Sequence, residues 1–194
     1  KDGEAFVLLA ADGMSSGGYS FLFRRIDVKQ VEPQGDGFTV LFDGMALGGD
    51  EFAKPEGLTT LTRFGGRAVP AGDYALIGRI DLVNYGNFTD ANVNCFSRGA
   101  AVFHFEPDKI ALVAAGSVRS RRPMDMTSLP TQAGQVLHGY PRITAPVSIA
   151  APTGTVTFTT EKSFLGTEVC KLEDGFSFAP SVMQGQEDAR SAIP

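Results

Sequence analysis

Along most of the chain, apolar and polar residues alternate with a period of two, and the alternation is broken by residues that favour tight turns. That is the pattern of β-strands with one buried face. Tyr74, Leu76, Ile80 and Leu82 fall on one side of such a strand, with Gly78 between them. Asp73, Arg79 and Asp81 fall on the other, together with Ala75 and Ile77. Phe38, Val40 and Phe42 alternate with Thr39 and Leu41, and Val156 and Phe158 alternate with Thr155, Thr157 and Thr159. Ile143, Ala145, Val147 and Ile149 alternate with Thr144, Pro146 and Ser148. Pro146 has no N–H to give to a ladder, so that strand belongs at a sheet edge or at a bulge. Glu4–Ala10, Tyr19–Val28, Leu58–Phe64, Ala101–Glu106 and Lys109–Ala115 bring the expectation to about nine strands.

Asp-Gly pairs at Asp2-Gly3, Asp12-Gly13, Asp36-Gly37, Asp43-Gly44 and Asp174-Gly175 supply the positive φ that short turns need. Glu106-Pro107-Asp108 reads as a turn joining two adjacent antiparallel strands. Pro123 and Pro130 forbid a long helix over 119–138, so 119–135 reads as a loop. One short helix fits Ala133–Leu137 or Val182–Arg190. Two apposed sheets are the simplest way to bury so many half-apolar strands, which predicts an antiparallel β-sandwich, with a closed β-barrel as the alternative. Residues 1–180 are expected to form a single domain, and 181–194 an extended or loosely held tail.

Composition adds a few bounds. The 194 residues are 43% hydrophobic and 20% charged, with 23 Gly, 11 Pro and a net charge of −5. A chain of this length buries roughly 70% of its unfolded surface and can hold a core without metals. The negative charge argues against nucleic acid as a partner. No apolar run approaches the ~20 residues of a membrane-spanning helix. The chain begins at Lys1, which reads as a trimmed or mature form whose leader has been removed. Cys95 and Cys170 are the obvious disulfide pair in an oxidising compartment, and two buried thiols are the alternative.

Residues 70–78, Pro-Ala-Gly-Asp-Tyr-Ala-Leu-Ile-Gly, and 103–116, Phe-His-Phe-Glu-Pro-Asp-Lys-Ile-Ala-Leu-Val-Ala-Ala-Gly, carry a resemblance. They resemble a Pro-Gly-x-Tyr strand start followed by an aromatic-rich strand in uncharacterised bacterial lipoprotein and periplasmic β-sandwich domains. Asp108 stands near the turn glycine of that pattern, and Leu112 or Val113 replaces its tyrosine. The likeness covers about a quarter of the chain and implies a periplasmic, outer-membrane-anchored or extracellular location. The residues also have a purely structural reading, since Pro70 fixes φ before the strand and Gly72 supplies a permissive turn position.

Candidate chemistry is sparse. His104 sits mid-strand between Phe103 and Phe105, where it faces solvent or a groove, and His138 lies in a turn. No catalytic residue, metal site or cofactor is assigned, because no zinc spacing, phosphate loop or nucleophile elbow occurs. A Ser97, His104 and Asp90 triad is arbitrary on sequence grounds. Asp73 and Asp81 share a predicted strand face but stand roughly 26 Å apart along it, too far for paired glycosidase carboxylates. Two segments carry binding potential. The stretch Asn84–Asn94 reads as a loop rich in Asn and aromatics, and Tyr85, Asn87, Phe88 and Asp90, with Tyr140, are the ligand-binding candidates. Asp90 with the neighbouring Asn side chains also suits calcium, and Asn87-Phe88-Thr89 is a glycosylation sequon in a eukaryotic secretory setting. Arg119, Arg121 and Arg122 form a cationic loop suited to phosphate-rich surfaces. The expectation is a non-enzymatic cell-envelope β-sandwich with a binding or structural role, its partner an unknown envelope component. A small-ligand or carbohydrate-binding module and an enzyme with an unrecognised site are the alternatives.

Overall fold

The alternating segments become strands, and their turn residues become the connections. The computed structural model describes residues 3–12, 18–42, 50–58, 62–87, 89–117, 125–164 and 166–181. Among them are twelve strands and one helix. A small sheet contains β1 (Glu4–Asp12), β5 (Thr62–Pro70), β9 (Ile110–Ser117) and β10 (Val147–Ile149), in the order β10-β9-β1-β5. A large sheet runs β12-β11-β8-β6-β2-β3, with β4 on β2 and β7 on β6. Its strands are β2 (Tyr19–Asp27), β3 (Glu32–Pro33), β4 (Phe38–Phe42), β6 (Gly72–Asn84), β7 (Thr89–Cys95), β8 (Ala100–Phe105), β11 (Gly154–Lys162) and β12 (Glu168–Pro180). The helix α1 spans Leu129–Leu137.

The protein is therefore an all-β sandwich carrying one short helix, and its cores lie in three layers. The middle core is pressed between the sheets: Val7 and Leu9 of β1 and Val113 of β9 meet Tyr19, Phe21, Phe42, Tyr74 and Phe105. The opposite face of the small sheet, Leu8, Phe64, Ile110 and Leu112, is covered by Leu129, Ala133, Val136 and Leu137 of α1. The outer face of the large sheet has its own core, because the sheet curls until β12 lies against β7 and β3. Ile26, Ile77, Val102, Val156, Phe158 and Leu172 fill it. Leu172 reaches that core from an excursion of β12, where the register jumps from Phe158↔Phe176 to Thr159↔Lys171.

Several expectations change in the structure. β9 runs parallel to both β1 and β10, so the small sheet is mixed rather than antiparallel. Glu106-Pro107-Asp108 does not join a hairpin. With Asp108 at φ 58°, it carries the chain from the large sheet to the small one, and the Asp108 N–H donates to the Glu4 carbonyl at 2.9 Å. The helix starts at Leu129, inside the segment read as a loop, because Pro130 sits in its first turn, where a missing N–H costs nothing. The strand read as Leu58–Phe64 lies at Thr62–Pro70. The stretch read as a loop after Asn84 is largely β7. β10 is an edge strand, as Pro146 requires, and starts just after it. The alternative helix at 182–190 and the C-terminal tail fall outside the described residues, apart from Ser181.

One corner of the sandwich is closed by a single residue. The Asp50 N–H donates to the Leu41 carbonyl, its carboxylate accepts from the Leu41 N–H, and its carbonyl accepts from the Gly66 N–H. Asp50 thereby joins the free edge of β4 to that of β5.

Candidate functional site

The face that a side chain occupies follows from register, because residues paired across neighbouring strands point the same way. β6 carries a bulge at this point: Phe23 pairs with Leu76 and Leu22 with Gly78, leaving Ile77 unpaired. Below the bulge Tyr74 and Leu76 face the middle core. Above it the alternation is reset, and Arg79 and Asp81 take the same face as Phe21 and Tyr19, their partners on β2. The expectation that Asp73 and Asp81 share a face is therefore overturned, since a bulge turns a strand by one position.

That inner face continues onto β7, where Asn94 pairs with Arg79, Asn92 with Asp81 and Asp90 with Val83. Arg79 donates to the Asp81 carboxylate, and Asn94 Nδ2 donates to Asp81 Oδ2 at 3.2 Å. Asp90, Asn92 and Asn94 are exposed, whereas the Arg79 and Asp81 side chains are only 18% and 20% exposed. Arg79 Nε is buried without a hydrogen bond. On the other flank of Tyr19, the Arg63 guanidinium lies 5.7 Å over the ring and grips Glu51 with two nitrogens, Nε donating to Oε1 at 2.6 Å. The Glu51 contact raises the Arg63 pKa above its usual value, against the opposing effect of burial. Two ion pairs thus flank one buried tyrosine where the apolar core ends.

The structure brings only some of the sequence candidates together. Tyr85, Asn87 and Asp90 all belong to the β6–β7 hairpin, with Tyr85 58% exposed in its turn. Phe88 lies outside the described residues. Tyr140 belongs to another layer: its hydroxyl accepts from the Ala53 N–H at 3.1 Å, and its ring meets Phe52 edge-on beside the helix core. Arg119, Arg121 and Arg122 also lie outside the described residues. The calcium reading weakens because Arg79 occupies Asp81. That leaves the face with one other carboxylate, Asp90, and two amides, short of the six or more oxygens the ion takes. Among the described residues no group of three or more His, Cys, Asp or Glu is placed to hold a metal.

His104 does face solvent, with its Nδ1 2.8 Å from Asp73 Oδ1 and its side chain 52% exposed. The imagined triad is not assembled. His104 pairs with Asp73 and Asp90 with Val83, about ten positions along β6, or roughly 33 Å at strand rise. His138 caps the C-terminus of α1 and lines a groove of about 620 Å³ with Glu56, Leu58 and Gln135. A second hollow of about 430 Å³ lies under Phe6, Ile110 and Ile143, with Glu4, Asp108 and Arg142 at its rim. Cys95 and Cys170 form a disulfide with Cα atoms 5.6 Å apart, tying β7 to β12, and Glu168 accepts the Cys95 N–H beside it at 2.9 Å.

Sequence reasoning named Arg79 and Asp81 but put them on the wrong face, and it named Asn92 and Asn94 only as members of a polar stretch, without the strand register that sets them beside Asp81 and Arg79. The signal was the run Tyr74-Ala75-Leu76-Ile77-Gly78, whose adjacent apolar residues do not fit strict alternation. Comparison with family models, with curated proteins and with solved structures finds no match for this chain.

Proposed function

We propose that this chain is a non-enzymatic domain of the cell envelope or the extracellular space that binds or supports another surface component. The observation that carries this reading is the Cys95–Cys170 disulfide, partly buried and packed against the outer core of the large sheet. Disulfides persist in oxidising compartments and are rare in the cytosol. The resemblance over residues 70–117 points the same way. No helix among the described residues is long and apolar enough to cross a membrane. A binding role is favoured over catalysis by the setting of His104. It stands on an open strand surface, where nothing excludes water from a reacting group. The carbohydrate or small-ligand reading is a second possibility, and the polar inner face of β6 and β7 favours it.

The test is cell fractionation followed by thiol alkylation and intact mass, with and without reductant. The expected result is a chain in the envelope or medium that takes up alkylating agent only after reduction. Two freely alkylated thiols in a cytosolic fraction would overturn the reading.

A further inference from the structure

We infer that the inner face of the β6–β7 hairpin is a platform for an uncharged, hydroxyl-rich chain, an oligosaccharide in chemical class. This rests on the reading of the domain as a binding module. The face is a continuation of the sheet surface that builds the middle core. Across the register, buried Tyr19 and Phe21 on β2 give way to Asp81 and Arg79 on β6, and then to Asn92 and Asn94 on β7. Along this face burial falls from Tyr19 and Phe21, through Arg79 and Asp81, to the exposed Asn92 and Asn94. Along the same path the residues change from aromatic to guanidinium, carboxylate and amide.

Charge decides against an anionic ligand. Arg79 and Asp81 neutralise each other, the two Asn are uncharged, and Asp90 adds a negative charge at the turn end. The whole chain carries −5, which disfavours a polyanion at long range, while an uncharged ligand meets no such effect. Hydrogen-bonding capacity selects hydroxyls. Arg79 and Asp81 are mostly buried and engaged with each other, so the exposed amides carry the contacts: each primary amide presents two donors and an acceptor, which complements groups that both give and take a hydrogen bond. Shape selects a chain. Asn92 and Asn94 point the same way, two residues and roughly 6.6 Å apart along an exposed strand. An enclosed small molecule would instead need a concave site. Tyr85 in the turn offers an exposed aromatic ring against which a sugar ring stacks.

The experiment is a titration of the oxidised, isotope-labelled protein followed by amide correlation spectra. The probes are maltohexaose, cellohexaose and laminarihexaose, with hexagalacturonate as the charged counterpart. The expected result is saturable shifts confined to β6 and β7 with at least one uncharged hexasaccharide, and at least about tenfold weaker binding of hexagalacturonate. Asn92→Ala, at an exposed position, should weaken the same binding by about tenfold with an unchanged unfolding midpoint. Asp90→Ala serves as a second variant should Asn92→Ala unfold. Equal or better binding of hexagalacturonate would overturn the inference. So would shifts centred on the groove beside His138, or no binding by any of the three uncharged chains. In the last case, a disulfide-bonded protein recovered from the envelope would still uphold the reading of compartment.

Discussion

Single residues show most directly how backbone and charge set local structure. Asp125 precedes α1 and accepts from the Thr127 hydroxyl at 2.6 Å and from the Thr127 N–H at 3.0 Å. Those hydrogen bonds, with help from Ser128, lower its pKa from 3.8 to about 2. Because the folded value is the lower one, this contribution to stability is complete above the unfolded pKa and is lost as pH falls from about 3.8 through about 2. The Thr127 amide resonance should titrate in that window, well below an ordinary Asp, and Asp125→Asn should abolish the titration. Gly78 shows the cost of close approach. An added Cβ would meet the Asn94 carbonyl oxygen at 2.7 Å and the Cys170 sulfur at 3.3 Å. Backbone cannot yield as a flexible side chain does, so Gly78→Ala should cost about 1–3 kcal/mol in urea unfolding. From sequence this glycine read only as a gap in an apolar face. The bulge next to it depends on pairing with β2, which no local pattern encodes.

At the scale of elements, the strands whose apolar residues strictly alternate were legible, because alternation is itself the imprint of a half-buried sheet. β2, β4 and β11 fall close to where the alternation placed them, and the apolar runs read as strands became β1 and β8. β7 escaped because Asp90, Asn92 and Asn94 alternate with Ala91, Val93 and Cys95, of which only Val93 is a bulky hydrocarbon, so its period-two pattern carries little apolar weight. β12 escaped because its excursion at Leu172–Gly175 breaks the period. Sheet membership was likewise invisible: a turn such as Pro107-Asp108 serves a hairpin or a crossing equally well, and long-range pairing decides which. The β11–β12 pair covers the outer face of the large sheet, and the disulfide pins β12 there, beside β7. Replacing both cysteines with serine should lower stability by about 4 kcal/mol in the chain-entropy model. That corresponds to a fall of roughly 8–16 °C in Tm for a chain of this size. Limited proteolysis of the variant should first cut within β12, where the constraint is lost. An unchanged Tm would show that the outer core holds the strand pair without it.

For the whole molecule, the fold class was readable because so many half-apolar strands can be buried in few ways. The candidate site was readable only as a segment. Its chemistry arises where the aromatic face of β2 passes across the register into β6 and β7, and that depends on which strands the large sheet recruits. The same recruitment orders assembly in time. β1 is made before both of its partners, β5 and β9, and its Phe6 meets Ile110 about 100 residues later. Pulse-labelled hydrogen exchange during refolding should therefore show β2 and β4, close neighbours in sequence, protected before the β1–β9 pair. A chain of this design emerging end-first, during synthesis or through a translocation pore, keeps one edge of the apolar run Phe6-Val7-Leu8-Leu9-Ala10-Ala11 unpaired until β9 follows. Its N-terminal strand is thus the natural handle for a chaperone, and the part of the newborn chain most exposed to aggregation.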